Sequence, residues 1–277
     1  MKKTTLLLVL FISSLTLKAQ DAATVINKMI SAVSAGKTYE YTLNEVERIN
    51  GKNIYNTIFT KVQENPKKIY LHNIKGENEG VEVLYVQGER GNKALVNKMF
   101  GIKLSPFNSL IRKNNHHTVL ESGFGLVLKS IKGAKQRATQ EGRFNEVFQL
   151  AGSVTFDGQS CYKIVITDPT FTYVDYTIKS GETLYSISMD KAINEQLIVE
   201  KNGFSNFNSG SAGQTIKIPS SYAKKSILYI NKSTFFPVYQ EMHDDKGMFE
   251  KYEFLGLKVN PTFTTVDFSE DNPKYNF

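Results

Sequence analysis

Apolar positions change their period along this chain, and the changes mark its elements. From Asp21 onward, Val25, Ile26, Met29, Ile30 and Val33 recur at helical spacing. This predicts an amphipathic helix capped by Asp21 or Thr24 and stopped at Gly36. The period then falls to two. Thr38–Leu43 and Ile54–Val62 alternate apolar and polar residues, and Asn50-Gly51 between them reads as a hairpin turn, because both residues accept the positive φ of a two-residue turn. Pro66–His72 and Gly80–Val86 predict the next pair, and Ala94–Asn97 a short further strand. Helical spacing returns over Gly123–Ala138, with Phe124, Val127, Leu128 and Ile131 on one face and Lys129, Lys132, Lys135 and Arg137 on the other. Strands are predicted again over Phe144–Leu150, Ser153–Phe156 and Cys161–Thr167, then over Lys225–Ile230, Phe236–Gln240 and Met248–Phe254. Asp157-Gly158 and Asp245-Lys246-Gly247 are the turn signals. Consecutive strands joined by tight turns imply an antiparallel meander, not a parallel sheet.

The segment between Asp175 and Tyr222 has a different character, richer in Ser, Asn and Gly. A strand through Tyr176-Thr177-Ile178 leads to Gly181, which permits a tight turn. Thr183 can cap a helix in which Leu184, Ile187 and Ser188 face inward. Asn194–Asn202 predicts a second short helix, stopped by Gly203, and Gly213–Pro219 a turn and a second strand. Strand, helix, helix, strand in roughly 45 residues is a very small unit that needs a compact core. The strand pattern runs before and after it. The predicted organisation is therefore a unit at 175–222 inserted into a host made of 21–172 and 223–277, an insertion that costs little when its ends lie close together.

Three blocks of this segment carry a resemblance: Tyr176-Thr177-Ile178-Lys179-Ser180-Gly181-Glu182-Thr183-Leu184, then Asn202-Gly203, then Gly213-Gln214-Thr215-Ile216-Lys217-Ile218-Pro219. In order and spacing they resemble the LysM domain. The resemblance implies binding of N-acetylglucosamine-containing glycan such as peptidoglycan, in a shallow groove between the loop after the first strand and the loop before the second. Here those loops are Gly181-Glu182-Thr183-Leu184 and Asn206-Phe207-Asn208-Ser209. Backbone groups and short polar side chains there suit N-acetyl and hydroxyl groups, and Phe207 could cover a sugar face. One departure is that the second loop lacks an apolar residue just before Gly213. A fold is not itself a site, so a unit that serves only as spacer or docking surface is the alternative.

Charge and the N-terminus narrow the setting. The formal net charge is +7. Met1-Lys2-Lys3, the largely apolar run Leu6–Leu17 and the small Ala19 fit a secretory signal peptide over residues 1–20, cleaved near Ala19 or Gln20. No Cys follows the run for lipidation. Losing Lys2, Lys3 and Lys18 leaves 31 basic residues against 27 acidic, or +4, with no basic stripe for nucleic acid. No later stretch has the length of a transmembrane helix. The expected location is periplasmic or secreted.

The host sequence, with Pro66–Leu71, Val83–Gly88 and the late Tyr252-Glu253-Phe254, is similar to the lipoprotein-carrier folds of the Gram-negative periplasm, the LolA-like half-barrels. That resemblance implies an α+β fold in which a strongly curved antiparallel sheet wraps helices on one side and leaves an apolar cavity for acyl chains. The whole chain, closing on Lys274-Tyr275-Asn276-Phe277, is also similar to a family of secreted Bacteroidetes-type proteins that brings no activity with it. If a cavity exists, Phe124, Val127, Leu128 and Ile131 are its lipid-facing residues; a densely filled core is the alternative.

Other candidate chemistry is weak. Neighbouring His116 and His117 would point to opposite faces of a strand, which argues against one ion between them. His72 and His243 stand alone, and Asp244-Asp245-Lys246-Gly247 lacks the later spaced acids of a calcium loop. The single Cys161 excludes an internal disulfide and has no neighbour in sequence to activate it. No metal, cofactor or catalytic group is expected. The leading expectation is a non-enzymatic envelope binding protein for glycan, with lipid or a lipoprotein acyl chain as a second ligand. An envelope assembly protein whose LysM-like unit only docks on a partner is the alternative, and a hydrolase ranks last.

Overall fold

A computed structural model describes residues 21–97 and 101–277. The signal peptide expected at 1–20 lies outside the described residues. The first helix, α1 (Ala22–Ala35), starts where Asp21 accepts a hydrogen bond from the Thr24 amide at 2.7 Å and ends at Gly36. Next come β1 (Thr38–Ile49) and β2 (Lys52–Gln63), longer than the alternation suggested. Asn50 (φ 51°) and Gly51 (φ 77°) make the turn between them. Strands β3 (Lys68–Gly76), β4 (Glu82–Val86), β5 (Ala94–Val96) and β6 (Ile102–Leu104) follow. After them come the single-turn helix α2 (Ser109–Arg112) and the long helix α3 (Gly125–Gln140). Gly123 before α3 has φ +99°, and a Cβ there would lie 2.7 Å from the Glu64 carboxylate. Only glycine fits where the chain turns onto the sheet.

The predicted strand at Phe144–Leu150 is corrected. Phe144–Val147 forms a helical turn, α4, and the strand β7 (Phe148–Phe156) begins after it. The turn lets Phe144 stack on Phe148, ring centroids 4.8 Å apart. Side chains four residues apart meet on a helix and not on a strand. Strands β8 (Gln159–Thr167), and later β11 (Lys225–Asn231), β12 (Pro237–Asp244) and β13 (Gly247–Val259), complete an open sheet of eleven antiparallel strands. Its order is β6-β5-β4-β3-β2-β1-β13-β12-β11-β8-β7. The two ends of the host sequence therefore meet at its centre, where β1 pairs with β13.

Each face of the sheet has its own core. On the inner face α1 and α3 pack over Tyr39, Tyr41, Val62, Ile164, Leu228 and Phe254. On the outer face the segment after β13 folds back: Phe268 and Tyr275 cover Tyr70, Leu84, Val86 and Leu95. Tyr275 stacks on Tyr70 at 3.6 Å.

The inserted unit is a separate βααβ layer of β9 (Tyr173–Thr177), α5 (Leu184–Lys191), α6 (Glu195–Asn202) and β10 (Thr215–Pro219). The strands β9 and β10 pair antiparallel, and Ile178, Leu184, Ile187, Ile198, Ile216 and Ile218 form its own core. Thr183 and Ser186 cap α5 reciprocally, and Gly203 ends α6 at φ 63°. The unit sits between β8 and β11, which are neighbours in the large sheet. Its ends are tied together by the Asp168 amide on the Lys224 carbonyl at 2.9 Å and the Ser220 amide on the Thr172 carbonyl at 2.8 Å. Leu197 of α6 leaves its own unit and joins the host core. Among the described residues, no helix is long and apolar enough to cross a membrane.

Candidate functional site

The inner core is incompletely filled. A cavity of about 610 Å³ runs between α3 and the sheet, a volume within the usual range for small-molecule sites. Its apolar walls include Leu71, Val83 and Val96 from the sheet and Val127 and Ile131 from α3. The space exists because the helix stripe facing it carries small side chains, Ser130, Ala134 and Ala138, between the larger ones. Of the residues expected to face lipid, Val127 and Ile131 line this space. Phe124 is fully buried among Tyr39, Tyr41, Phe236 and Phe254, and Leu128 packs partly buried against the same core.

One wall is acidic. Along β1 the inward positions change from Tyr39, Tyr41 and Leu43 to Glu45 and Glu47. On β13 the facing positions are Phe254, Tyr252 and Glu250, and Glu47 lies directly opposite Glu250. Two carboxylates paired across a ladder repel, so both need compensation. His116 and His117 supply it. The expectation that adjacent histidines diverge is corrected: residues 113–118 form a turn, not a strand, and both rings reach one carboxylate. His116 Nδ1 lies 2.8 Å from Glu250 Oε1 and His117 Nε2 3.2 Å from the same oxygen. His116 Nε2 faces the Arg48 carbonyl at 3.0 Å. Both ring nitrogens of His116 therefore meet acceptors only, so both carry protons and the ring is a cation.

Further donors hold the cluster. Tyr252 Oη donates to Glu47 Oε1 at 2.6 Å and the His116 amide to Glu47 Oε2 at 2.7 Å. Tyr222 Oη donates to Glu250 Oε2 at 2.9 Å, and Asn194 of the inserted unit to Glu250 Oε1 at 2.7 Å. Burial opposes the charge on each histidine, but Glu47 and Glu250 raise the His116 pKa, and Glu250 and Glu121 raise that of His117 well above its ordinary value. Burial would raise the Glu250 carboxyl too, yet His117 and His116 hold it far below the usual range. Burial, then repulsion from Glu47, pushes the Glu45 carboxyl up to about 8. Beside the cluster, the buried pair Arg112–Glu195, 2.7 Å apart, joins host to insert.

The expected glycan loops lie on the insert. Gly181 and Thr183 are exposed; Thr183 caps α5. Glu182 accepts from the Lys179 amide and from Tyr176 Oη, and Leu184 is part of the unit's core. In the second loop Asn206 and Asn208 are exposed, Ser209 is half-buried, and Phe207 lies under the Arg112 guanidinium at 3.6 Å. A host segment leans on this side: Phe107 meets Tyr185 edge-on at 4.9 Å, and Asn208 Nδ2 donates to the Phe107 carbonyl.

The acidic cluster is the part that sequence reasoning missed. One signal was present, the acids at Glu45 and Glu47 continuing the inward alternation of Tyr39, Tyr41 and Leu43. The pairing that brings Glu250 opposite them was not readable from local pattern.

Comparisons with known proteins place two family models on the chain. A family model described as "Protein of unknown function (DUF1571)" matches residues 36–191 and 209–277. The LysM domain model matches 176–219. No curated protein matches. Among solved structures, the chain is similar to the Mycobacterium tuberculosis lipoprotein LppX, at 14% identity over 88% of this chain and 97% of that one, with a TM-score of 0.42. It is similar to a chain of the Pseudomonas aeruginosa MucA/MucB complex, at 11% identity over 90% of this chain and a TM-score of 0.42, where it spans 60% of that chain's length. It is also similar to a LolA superfamily protein from Nitrosomonas europaea, at 11% identity, 91% and 99% coverage and a TM-score of 0.32.

Proposed function

The chain belongs to the DUF1571 family, and from that premise we propose an exported cell-envelope binding protein that holds an acyl chain in its cavity and touches N-acetylglucosamine-containing glycan through its LysM unit. The observation that carries the reading is the cavity of about 610 Å³, whose walls include the aliphatic side chains of Leu71, Val83, Val96, Val127 and Ile131. Apolar walls favour a hydrocarbon chain by releasing water from both surfaces. The proposed lipid contacts are Val127 and Ile131, with Phe124 and Leu128 fixing the pose of α3. Glycan contact is assigned to the exposed edge of Gly181, Glu182 and Thr183 and to Asn206, Phe207, Asn208 and Ser209, with Leu184 anchoring the first loop from within. The proposed division is an insert at 175–222 in a host of 21–172 and 223–277, exported by the leader at 1–20.

Mass spectrometry of the full chain under native conditions tests the lipid reading. An amphiphile is expected to copurify at close to one per chain and to be lost from Ser130→Phe and Ala134→Phe, which fill the space. Equal ligand in these variants, or none in any sample, overturns it. For the glycan reading, the intact protein is sedimented with insoluble peptidoglycan. Phe207→Ala and Asn208→Ala are expected to lower retention several-fold; unchanged retention removes this arm.

A second reading has its own observation. The host segment around Phe107 and Arg112 occupies one side of the second loop, as it would if the unit only docked on its host. Phe107→Ala separates the two. Retention rises if this segment screens a working groove, and it stays at background if the unit is a docking surface alone.

A further inference from the structure

We propose that Glu47, His117 and Glu250 form a binding site for one divalent transition-metal ion, opening onto the acidic wall of the cavity. One ligand atom from each residue lies within 4.8 Å of the other two. Metal–ligand bonds of about 2.1 Å span at most about 4.2 Å between ligand atoms. At a tetrahedral angle such bonds set their ligand atoms about 3.4 Å apart, so pairs that lie wider than this, up to the 4.8 Å bound, close through side-chain torsions. The gap of 3.2 Å between His117 Nε2 and Glu250 Oε1 already suits two such bonds, meeting at about 100°, close to the tetrahedral angle.

The surroundings are those of a metal site. A ligating imidazole characteristically gives its other ring N–H to a carboxylate, and His117 Nδ1 faces Glu121 Oε2 at 3.5 Å. The two carboxylates are held by groups from four segments: Tyr252 and the His116 amide on Glu47, and His116, Tyr222 and Asn194 on Glu250. Glu47 and Glu250 are buried, while His117 is half-buried on the cavity side. An ion held by three protein atoms there keeps a position open toward the cavity.

Charge favours the same reading. Three carboxylates, Glu47, Glu121 and Glu250, face the two imidazoles of His116 and His117, so an ion that replaces the His117 Nε2 proton enters a site in which carboxylates are in excess. One nitrogen and two oxygens select against magnesium and calcium, which take oxygen donors, and suit zinc or its neighbours in the first transition row. The inference does not depend on whether the cavity holds lipid.

The test uses the full chain, stripped with chelator and titrated with Zn²⁺ alone by calorimetry, with Co²⁺ absorption as a spectroscopic reading. One ion per chain is expected, with a visible Co²⁺ band of low symmetry. His117→Gln should abolish both. Glu121→Gln, one step removed from the ion, should keep the stoichiometry and weaken affinity about tenfold or more. Circular dichroism confirms that each variant is folded, and His117→Gln serves where Glu250→Gln does not fold. Absent binding, binding unchanged in His117→Gln, equal competition by Mg²⁺, or loss of binding in His243→Gln, at the His243–Glu241 pair elsewhere on the sheet, would each overturn the assignment.

Discussion

The two faces of the large sheet use the same kinds of side chain for opposite ends. In β4, Val83 points into the cavity while its neighbour Leu84 is fully buried on the outer face, under the folded-back C-terminal segment. The outer face is sealed by Phe268, Tyr275 and Phe277; the inner face is spanned by a helix with small residues where contact would have been closest. Strand alternation thus splits one run of apolar residues into a filled core and an open one. Aliphatic composition alone does not say which face is full; the residues laid across each face decide it.

The largest expected effect comes from the same truncation on both faces. Leu84→Ala should cost about 2–5 kcal/mol, because it removes transfer energy and leaves a new cavity. Leu71→Ala, on the cavity wall, should cost about half as much, because the space beside it is already open. Urea denaturation of both variants measures the difference, and equal losses would mean that the inner face closes in solution. Next in size, Tyr275→Ala should cost about 2 kcal/mol by undoing the stack on Tyr70, with the loss read as a lower urea midpoint at unchanged slope. Ala134→Leu should act in the other direction and raise stability by about 1 kcal/mol as it covers apolar surface in the cavity. A fall in its melting temperature would be the signature of overpacking in a full core.

The sequence made local features readable where near neighbours decide them. The Asp21 cap, the Asn50-Gly51 turn and the three LysM blocks depend on residues a few positions apart. Phe144–Val147 was misread because two phenylalanines four apart suit a helical turn as well as a buried strand. The acidic wall needed β1 and β13, from opposite ends of the host, to pair in one register. No local period encodes that register, and a shift of one residue would send Glu47 to the other face. The turn that aims both His116 and His117 at Glu250 was hidden for a related reason: polar residues in an irregular segment carry no period.

The smallest predicted effect sharpens the outer face. Partial burial works against the Asp267 charge, but Lys61, at 2.6 Å, and Thr264 hold its carboxyl below the ordinary value. A carboxyl with a lowered folded pKa lends stability above its unfolded value and loses it as pH falls through the folded one. Hydrogen-exchange protection factors in the segment 264–277, taken against the intrinsic rate at each pH, should therefore stay high at pH 6 and fall in acid below the usual carboxylate range. Lys61→Met should remove that acid dependence.

The attachment of the inserted unit has a mechanical consequence. Both of its connections leave from the same end of adjacent strands, β8 and β11. A load dragging on the unit pulls those strands apart from that end, so the ladder opens one rung after another instead of shearing as a block. The Asp168–Lys224 and Ser220–Thr172 ties at the root, with the Arg112–Glu195 and Asn194–Glu250 contacts beside them, take that tension before any strand does. They act as the fuse that determines how much pull the host withstands before it begins to unzip.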